Sequence, residues 1–292
     1  MSDPEGRVSA PKLPFSDAAS LAYSSYFRNL PQVLRACWLW LILVMAATAL
    51  ASSLQCSRLS TMLASHESGR LPGAPAASPA VLILLPQLLL ALGGVSIAVA
   101  WHRFLILGEQ PPFSGSNVVT RALWRYVLVG LVLFAIMVVP GWVAVAVALQ
   151  FSGSFASPPP GVFLPLASLG LLLYVAGIGV ALRLAVLLPA RAVGDDALTF
   201  AQAWRQTRGS TLWLFWGFVV TALLPVLIAD MVFVIVSPPM PRLDSPGDNV
   251  VIGMTTMTTV FSVLYLLILP IGIGFLSQAY RHFFRGADLN SE

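Results

Sequence analysis

The sequence reads as an all-α, polytopic membrane protein whose six transmembrane helices form three repeated helical hairpins with short interfacial helices between them. Three observations carry that reading. Apolar residues make up 58% of the chain and charged residues only 10%, with a mean hydropathy of +0.85, a composition outside the range of soluble globular chains. Six apolar runs are each long enough to cross a hydrocarbon core of about 30 Å, which takes about 20 helical residues at about 1.5 Å each. The Lys and Arg residues between these runs fall almost wholly on one side. The runs do not alternate as barrel strands do, so an α-helical bundle fits and a β-barrel does not.

The runs are residues 33–54, 81–101, 124–149, 164–182, 212–236 and 251–276, within a membrane domain of 33–284. Residues 1–32 are expected as a cytoplasmic N-terminal segment and 285–292 as a cytoplasmic tail. The first run ends near the small residues Ala47, Ala49 and Ala51, like a cleavable signal. Its length and the mostly polar segment ahead of it argue for a retained helix. Cys56 follows Leu54 and Gln55 where a lipid-attachment site calls for small residues, and Cys37 lies near the opposite end of the same helix, about 28 Å away. No intrachain disulfide joins cysteines so placed.

The second, fourth and sixth runs share a glycine pair ahead of a closing arginine: Gly93-Gly94 before Arg103, Gly177 and Gly179 before Arg183, Gly272 and Gly274 before Arg281. Close helix approach is the simpler meaning of such glycines. Broken helices around a transport site are the functional alternative. Pro86, Pro140, Pro225 and Pro270 fall inside runs two, three, five and six and are expected to kink them.

Orientation follows from Lys and Arg, which resist translocation far more than Asp and Glu do. All but Arg58, Arg70 and Arg242 of the 16 basic residues flank the same ends of the runs, so both termini are expected in the cytoplasm. The basic pI of about 9.4 is thus a topology signal. Nucleic acid is not an expected partner, because the charge is divided among membrane-edge segments. The opposite loops, 52–80, 151–161 and 237–249, are short and proline-rich and offer no core in which an external catalytic or receptor domain could fold.

The most specific pattern is a repeat. Arg103 and Trp124-Arg125 recur 80 residues later as Arg183 and Trp204-Arg205. The linkers that carry these residues are expected as short helices lying in the interface. One follows Ser114 or Ser116 with Val118, Val119, Leu123 and Trp124. The other follows Asp195 or Asp196 with Leu198, Ala201 and Trp204, and Gly209 ends it. Two readings fit Arg103, Trp124, Arg125, Arg183, Trp204, Arg205 and Arg281. They anchor helix ends at the membrane edge, or they contact anionic lipid between units. Anchoring is favoured, because clustered basic residues are the stronger lipid signature.

Chemistry is sparse. Asp230 is the one carboxylate inside an apolar run, about 25 Å along the fifth helix from Trp213 and so near the outer edge of the core. An intramembrane acid is a candidate proton or cation site, but a shallow acid reaching water is the simpler account, with Arg242 the nearest basic candidate. His102 and His282 sit at helix ends without accompanying carboxylates or cysteines, so no metal or other cofactor is expected. No nucleophile elbow, phosphate loop, zinc-protease motif or paired-carboxylate motif occurs. Catalysis needs a positioned acid, base, nucleophile or metal, so no enzyme is expected.

The stretch Arg183-Leu-Ala-Val-Leu-Leu-Pro-Ala-Arg191, followed by Ala203-Trp204-Arg205-Gln-Thr-Arg208-Gly209 before a new apolar run, resembles the membrane region of bacterial glycerophosphodiester phosphodiesterases. It also resembles related uncharacterised six-helix inner-membrane proteins. The resemblance spans roughly the last four helices. It implies a bacterial inner-membrane location and the membrane part alone, without phosphodiesterase activity, and no catalytic residue carries over. Two function classes result: a non-catalytic accessory, scaffold or lipid-interacting bundle, and a transporter or channel for a small solute or ion. A membrane enzyme acting on lipid is held in reserve. Membrane lipids, anionic ones included, and other membrane subunits are the expected partners.

Overall fold

A computed structural model describes residues 15–67, 79–112, 120–152, 160–236 and 247–285. The elements in that range are all helical: α1 (Phe15–Arg28), α2 (Leu30–Glu67), α3 (Pro79–Leu107), α4 (Arg121–Ser152), α5 (Pro160–Leu184), α6 (Leu187–Val193), α7 (Phe200–Gln206), α8 (Thr211–Phe218), α9 (Leu224–Val236) and α10 (Gly247–Tyr280). Two π-helical turns, Val219–Leu223 and Arg281–Arg285, join α8 to α9 and extend α10. Among the described residues, six helices or helical runs are long and apolar enough to cross a membrane. The chain is a multi-pass, all-α membrane protein.

Two expectations are corrected. Residues 52–67 form no loop: α2 runs on to Glu67, 38 residues in all, or about 57 Å. Neither Gly nor Pro interrupts that stretch, so no helix breaker stops the helix at the edge of the apolar run. Leu123 and Trp124 belong to the first turn of α4 and not to an interfacial helix. Thr120 precedes that turn, and its carbonyl and hydroxyl oxygens both accept from the Leu123 N–H, at 3.1 and 3.4 Å. The caps expected at Ser114 and Ser116 lie outside the described residues.

Within hydrocarbon no hydrophobic effect draws helices together, so close packing and hydrogen bonds must hold them. Glycine supplies the packing. A Cβ on Gly93 would lie 3.1 Å from Trp40 Cβ on α2, one on Gly272 would lie 3.0 Å from Ala222 Cβ, and one on Gly177 would lie 2.7 Å from the Ile136 carbonyl oxygen on α4. Helices α3, α5 and α10 run unbroken through their glycine pairs, which favours close approach over broken helices. The interruption is in the fifth span instead, at Val219–Leu223.

α10 is the centre of the bundle and packs on α1, α2, α3 and α6 as well as on the fifth span. The α4–α5 hairpin packs chiefly on itself, and α6 is its broadest connection to the remainder. The fifth span, Thr211–Ile235, is only 6% buried, against 50% for Leu84–Leu107. It is a peripheral helix with most of its surface toward lipid.

Helix α1 was not evident as an element in the sequence. It buries Ala18, Ala19, Ala22 and Tyr26 on one face, at the spacing of a helical stripe. Those alanines let it lie against Gly274, where a Cβ would meet Ala22 Cα at 3.5 Å. Phe15 rests against Trp213, ring centroids 5.5 Å apart. Tyr23 makes the most specific contact. In the π turn Leu224 N–H bonds to Val219 O, and in that register the next donor, for Val220 O, is residue 225. Pro225 has no N–H, and Tyr23 Oη donates to Val220 O at 2.8 Å in its place. Burial pushes the Tyr23 phenol above its ordinary pKa, so it remains a donor.

Candidate functional site

At the arginine-rich end of the bundle, Arg103, Glu109, Arg125, Arg191, Asp195 and Asp196 gather around α6. Pro189 weakens a continuous helix here, because its ring crowds the carbonyl of residue 185 and it donates no hydrogen bond, although Pro86, Pro140, Pro165 and Pro270 are accommodated inside α3, α4, α5 and α10. The chain ends α5 at Leu184 and restarts at Leu187 with Pro189 in the first turn. Gly194, at φ +82°, ends α6. Asp195 N–H bonds to Ala190 O at 2.9 Å and Gly194 N–H to Arg191 O at 3.3 Å, the paired bonds of a Schellman cap. Leu187, Ala190 and Ala192 are wholly buried against α3, α4 and α10. α6 is a plug beneath three spanning helices.

The cap delivers Asp195 and Asp196 to their partners. Asp195 Oδ2 accepts from Tyr280 Oη of α10 at 2.7 Å, and its Oδ1 accepts from Ala197 N at 3.1 Å. Asp196 pairs with Arg125 of α4 and approaches Arg191 at 3.7 Å. Arg191 donates to the carbonyls of Asp195 at 2.5 Å and Leu198 at 2.8 Å, which closes the loop after α6. Arg103 of α3 grips Glu109 through Nε at 2.7 Å and Nη2 at 2.8 Å, and donates through Nη1 to Ala192 O at 3.2 Å. One short helix is thus fastened to α3, α4 and α10 by charged groups. The sequence placed Asp195 or Asp196 as a helix cap, but Thr199 caps α7 through a capping box with Gln202, and both aspartates make tertiary contacts.

The two Trp-Arg pairs have different settings. Trp124 is exposed on the first turn of α4, while its neighbour Arg125 reaches α6 through Asp196. Trp204 lies on α7, and Arg183 covers its ring with the guanidinium 3.4 Å from the centroid, a cation–π contact. Arg183 also donates to Thr207 Oγ1 at 3.4 Å and to the Trp204 carbonyl. Arg205 is exposed and donates to Ala201 O in its own helix at 3.4 Å. Arg281 opens the final π turn, half-buried. Gly209, at φ +85°, ends the α7 segment as its position suggests.

His102 is wholly buried. Its Nδ1 lies 2.7 Å from Ser277 Oγ, whose proton goes to Ile273 O at 3.0 Å. Nε2 has no hydrogen-bond partner among the described residues. Tyr126 packs against this ring, centroids 5.8 Å apart, and His282 packs against Phe283. Among the described residues no three His, Cys, Asp or Glu side chains group as a metal site.

Asp230 is half-buried on α9 and forms no ion pair with a described residue. It continues, four residues on, the row of Phe218, Ala222 and Val226 that lines a crevice of about 140 Å³ against Tyr265 and Gly272 of α10. Arg242 lies outside the described residues.

Fold and site together define a polytopic α-helical membrane protein with a charge-fastened plug at one end. No family model matches the chain, and no curated protein or solved structure is significantly similar to it.

Proposed function

We propose that this protein is a non-catalytic, lipid-interacting bundle serving as an accessory or scaffold subunit of a bacterial inner-membrane assembly, with its arginine-rich end in the cytoplasm. The observation that carries the reading is the engagement of Glu109, Asp195 and Asp196. Each is bound to arginine or tyrosine partners that hold α6 under α3, α4 and α10. Groups so engaged hold an architecture together. Catalysis calls instead for a group aimed at an accessible reacting atom. The resemblance of residues 183–209 to the membrane region of the phosphodiesterases agrees with a membrane module that works beside other proteins. Mild extraction followed by native mass spectrometry tests the reading. A stoichiometric membrane-protein partner or bound lipid is expected, and a bare monomer would overturn it.

A second reading, a transporter for a small solute or ion, is favoured by one observation: the π turn lends Ala222 to the wall of an interhelical crevice, and Asp230 lies on the same span eight residues further on. Asp230→Asn is expected to leave assembly intact and to change no flux in reconstituted vesicles. Proton or solute flux that this substitution abolishes would replace the first reading with the second.

A further inference from the structure

We propose that Arg183, Arg205 and Arg208, grouped about Trp204 where the chain passes from α5 to the fifth span, hold the phosphate of one anionic phospholipid from the leaflet at the arginine-rich end. The inference gives the lipid-interacting part of the function above a site and rests on that reading.

The two copies of the repeat differ in charge balance. In the first copy each arginine has a carboxylate, Arg103 pairing with Glu109 and Arg125 with Asp196. The positions 80 residues on from those acids hold Pro189 and Leu276, so the second copy lacks both. Its arginines turn to neutral groups instead. Arg183 lies over the Trp204 ring, 3.4 Å from the centroid, and donates to the Trp204 carbonyl and to Thr207 Oγ1. Arg205 donates to Ala201 O. Described residues thus take two of the five guanidinium N–H groups of Arg183, which leaves three for a ligand.

Arg208 adds a third cation. It is exposed, follows the Thr207 that Arg183 reaches, and its N–H bonds to Arg205 O at 3.2 Å. Its like charge acts on Arg183. The ion pairs among the described residues include none of these three arginines. A phosphate relieves their mutual repulsion, and a guanidinium fork can grip it through two N–H bonds.

The surroundings point to a lipid as the source of that phosphate. Gly179 stands one turn ahead of Arg183 on α5, and a Cβ there would meet Thr211 Cγ2 at 3.8 Å. Thr211 opens the fifth span three residues after Arg208, so Arg183 and Arg208 stand at one level at the ends of two neighbouring spanning helices. Just past that level, toward the membrane interior, the exposed side chains are apolar: Leu212 is 69% exposed, and Val175, about two turns before Arg183, is 57% exposed. Cations bordering lipid-facing apolar surface match a phospholipid, which carries phosphate and acyl chains together, whereas a free phosphate has no use for the apolar part. Three uncompensated positive charges favour an anionic headgroup over a zwitterionic one.

The test uses the full chain in nanodiscs of mixed phosphatidylglycerol and phosphatidylethanolamine, released for native mass spectrometry. One retained phosphatidylglycerol is expected. Arg208→Gln leaves the contacts of Arg183 with α7 in place and is expected to weaken retention about fivefold, and Arg205→Gln combined with it about 25-fold. Arg121→Gln, which removes an exposed arginine from the first turn of α4, is expected to leave retention unchanged. Retention undiminished in the double variant, or weakened as much by Arg121→Gln, overturns the proposal. So does release of the lipid by millimolar inorganic phosphate, which would make the site one for the free anion, and so does a protein partner that departs with Arg208→Gln while lipid stays. Unmodified protein gives an independent answer through phosphatidylglycerol carrying a photoactivatable headgroup. Adducts concentrated on residues 204–212 are expected, and adducts spread evenly over the membrane-edge segments overturn the proposal. Failure at these arginines alone, with lipid or a partner bound elsewhere, leaves the scaffold reading standing, whereas Asp230-dependent flux defeats that reading whatever the arginines hold.

Discussion

A methyl group added at Gly177 strikes backbone and has no flexible neighbour to displace. Its Cβ would lie 2.7 Å from the Ile136 carbonyl oxygen, 3.2 Å from Met137 Cα and 3.3 Å from the Met137 carbonyl oxygen. Carbon–oxygen contact becomes comfortable near about 3.4 Å, so α5 must move by several tenths of an ångström away from α4, the helix with which it shares its widest contact. Overpacking of this kind costs about 1–3 kcal/mol. Alanine offsets part of that loss, because it suits a helix interior better than glycine by about 0.5–1 kcal/mol. The net expectation for Gly177→Ala is a loss of about 1–2 kcal/mol. Gly130→Ala is the control, since nothing lies within 4 Å of a Cβ there, and only the helix preference of alanine acts. It should gain about 0.5–1 kcal/mol. The two variants are compared by reversible unfolding in mixed micelles, or by thermal melting in one detergent. Gly177→Ala melting at or above wild type would refute the claim that backbone contact sets the α4–α5 spacing.

Removing the Tyr23 hydroxyl leaves a partly buried carbonyl at Val220 unserved, so Tyr23→Phe should cost about 0.5–1.5 kcal/mol and raise amide exchange in residues 15–28. Pro225→Ala restores a donor in the π register, so the same substitution should cost less in that background. Equal costs in both would show that Pro225 does not create the vacancy that Tyr23 fills. Burial raises the Tyr23 pKa above 10.0. The unfolded chain thus loses this proton first, and α1 docking should weaken as pH rises through that value, as followed by exchange in alkaline buffers. Arg191, with its side chain only 15% exposed, should matter more than the Arg125–Asp196 pair, whose side chains are 29% and 54% exposed. Arg191→Gln is expected to cost about 2 kcal/mol or more. Asp196→Asn should cost at most about 1 kcal/mol, an effect that about 1 M salt largely screens out. A salt-insensitive Asp196→Asn loss larger than that of Arg191→Gln would reverse this ranking.

The spans and their arginine asymmetry were legible because they depend on composition along the chain. The meaning of the glycine pairs was legible as well, since a missing Cβ has one common use between membrane helices. What escaped depends on contact. α1 buries alanines, which add little to hydropathy, so a polar-looking segment concealed a packed helix. α6 is apolar enough to merge with the fourth span, and Pro189, which stands just past the break, is a weak sign of it in a chain whose other helices absorb prolines. The partners of Asp195 and Asp196 were out of reach for a different reason. Arg125 lies 71 residues away and Tyr280 lies 85, and no local pattern links residues so distant. Trp124 and Trp204 match in the sequence but stand on helices of different kinds, a bilayer-spanning one and a seven-residue one.

The narrow attachment of the α4–α5 hairpin has a mechanical consequence. Its broadest hold on the rest of the molecule is a seven-residue helix at one end of the bundle, so the hairpin is supported like a two-pronged fork gripped at the handle. Toward the opposite end the described residues of α4 and α5 pack chiefly on each other, so bending there takes less work. Bending it at the held end means breaking the arginine bonds around Gly194. The stiffness of this protein is therefore graded along the membrane normal. A change in bilayer thickness or lateral pressure acts first at the end farthest from α6.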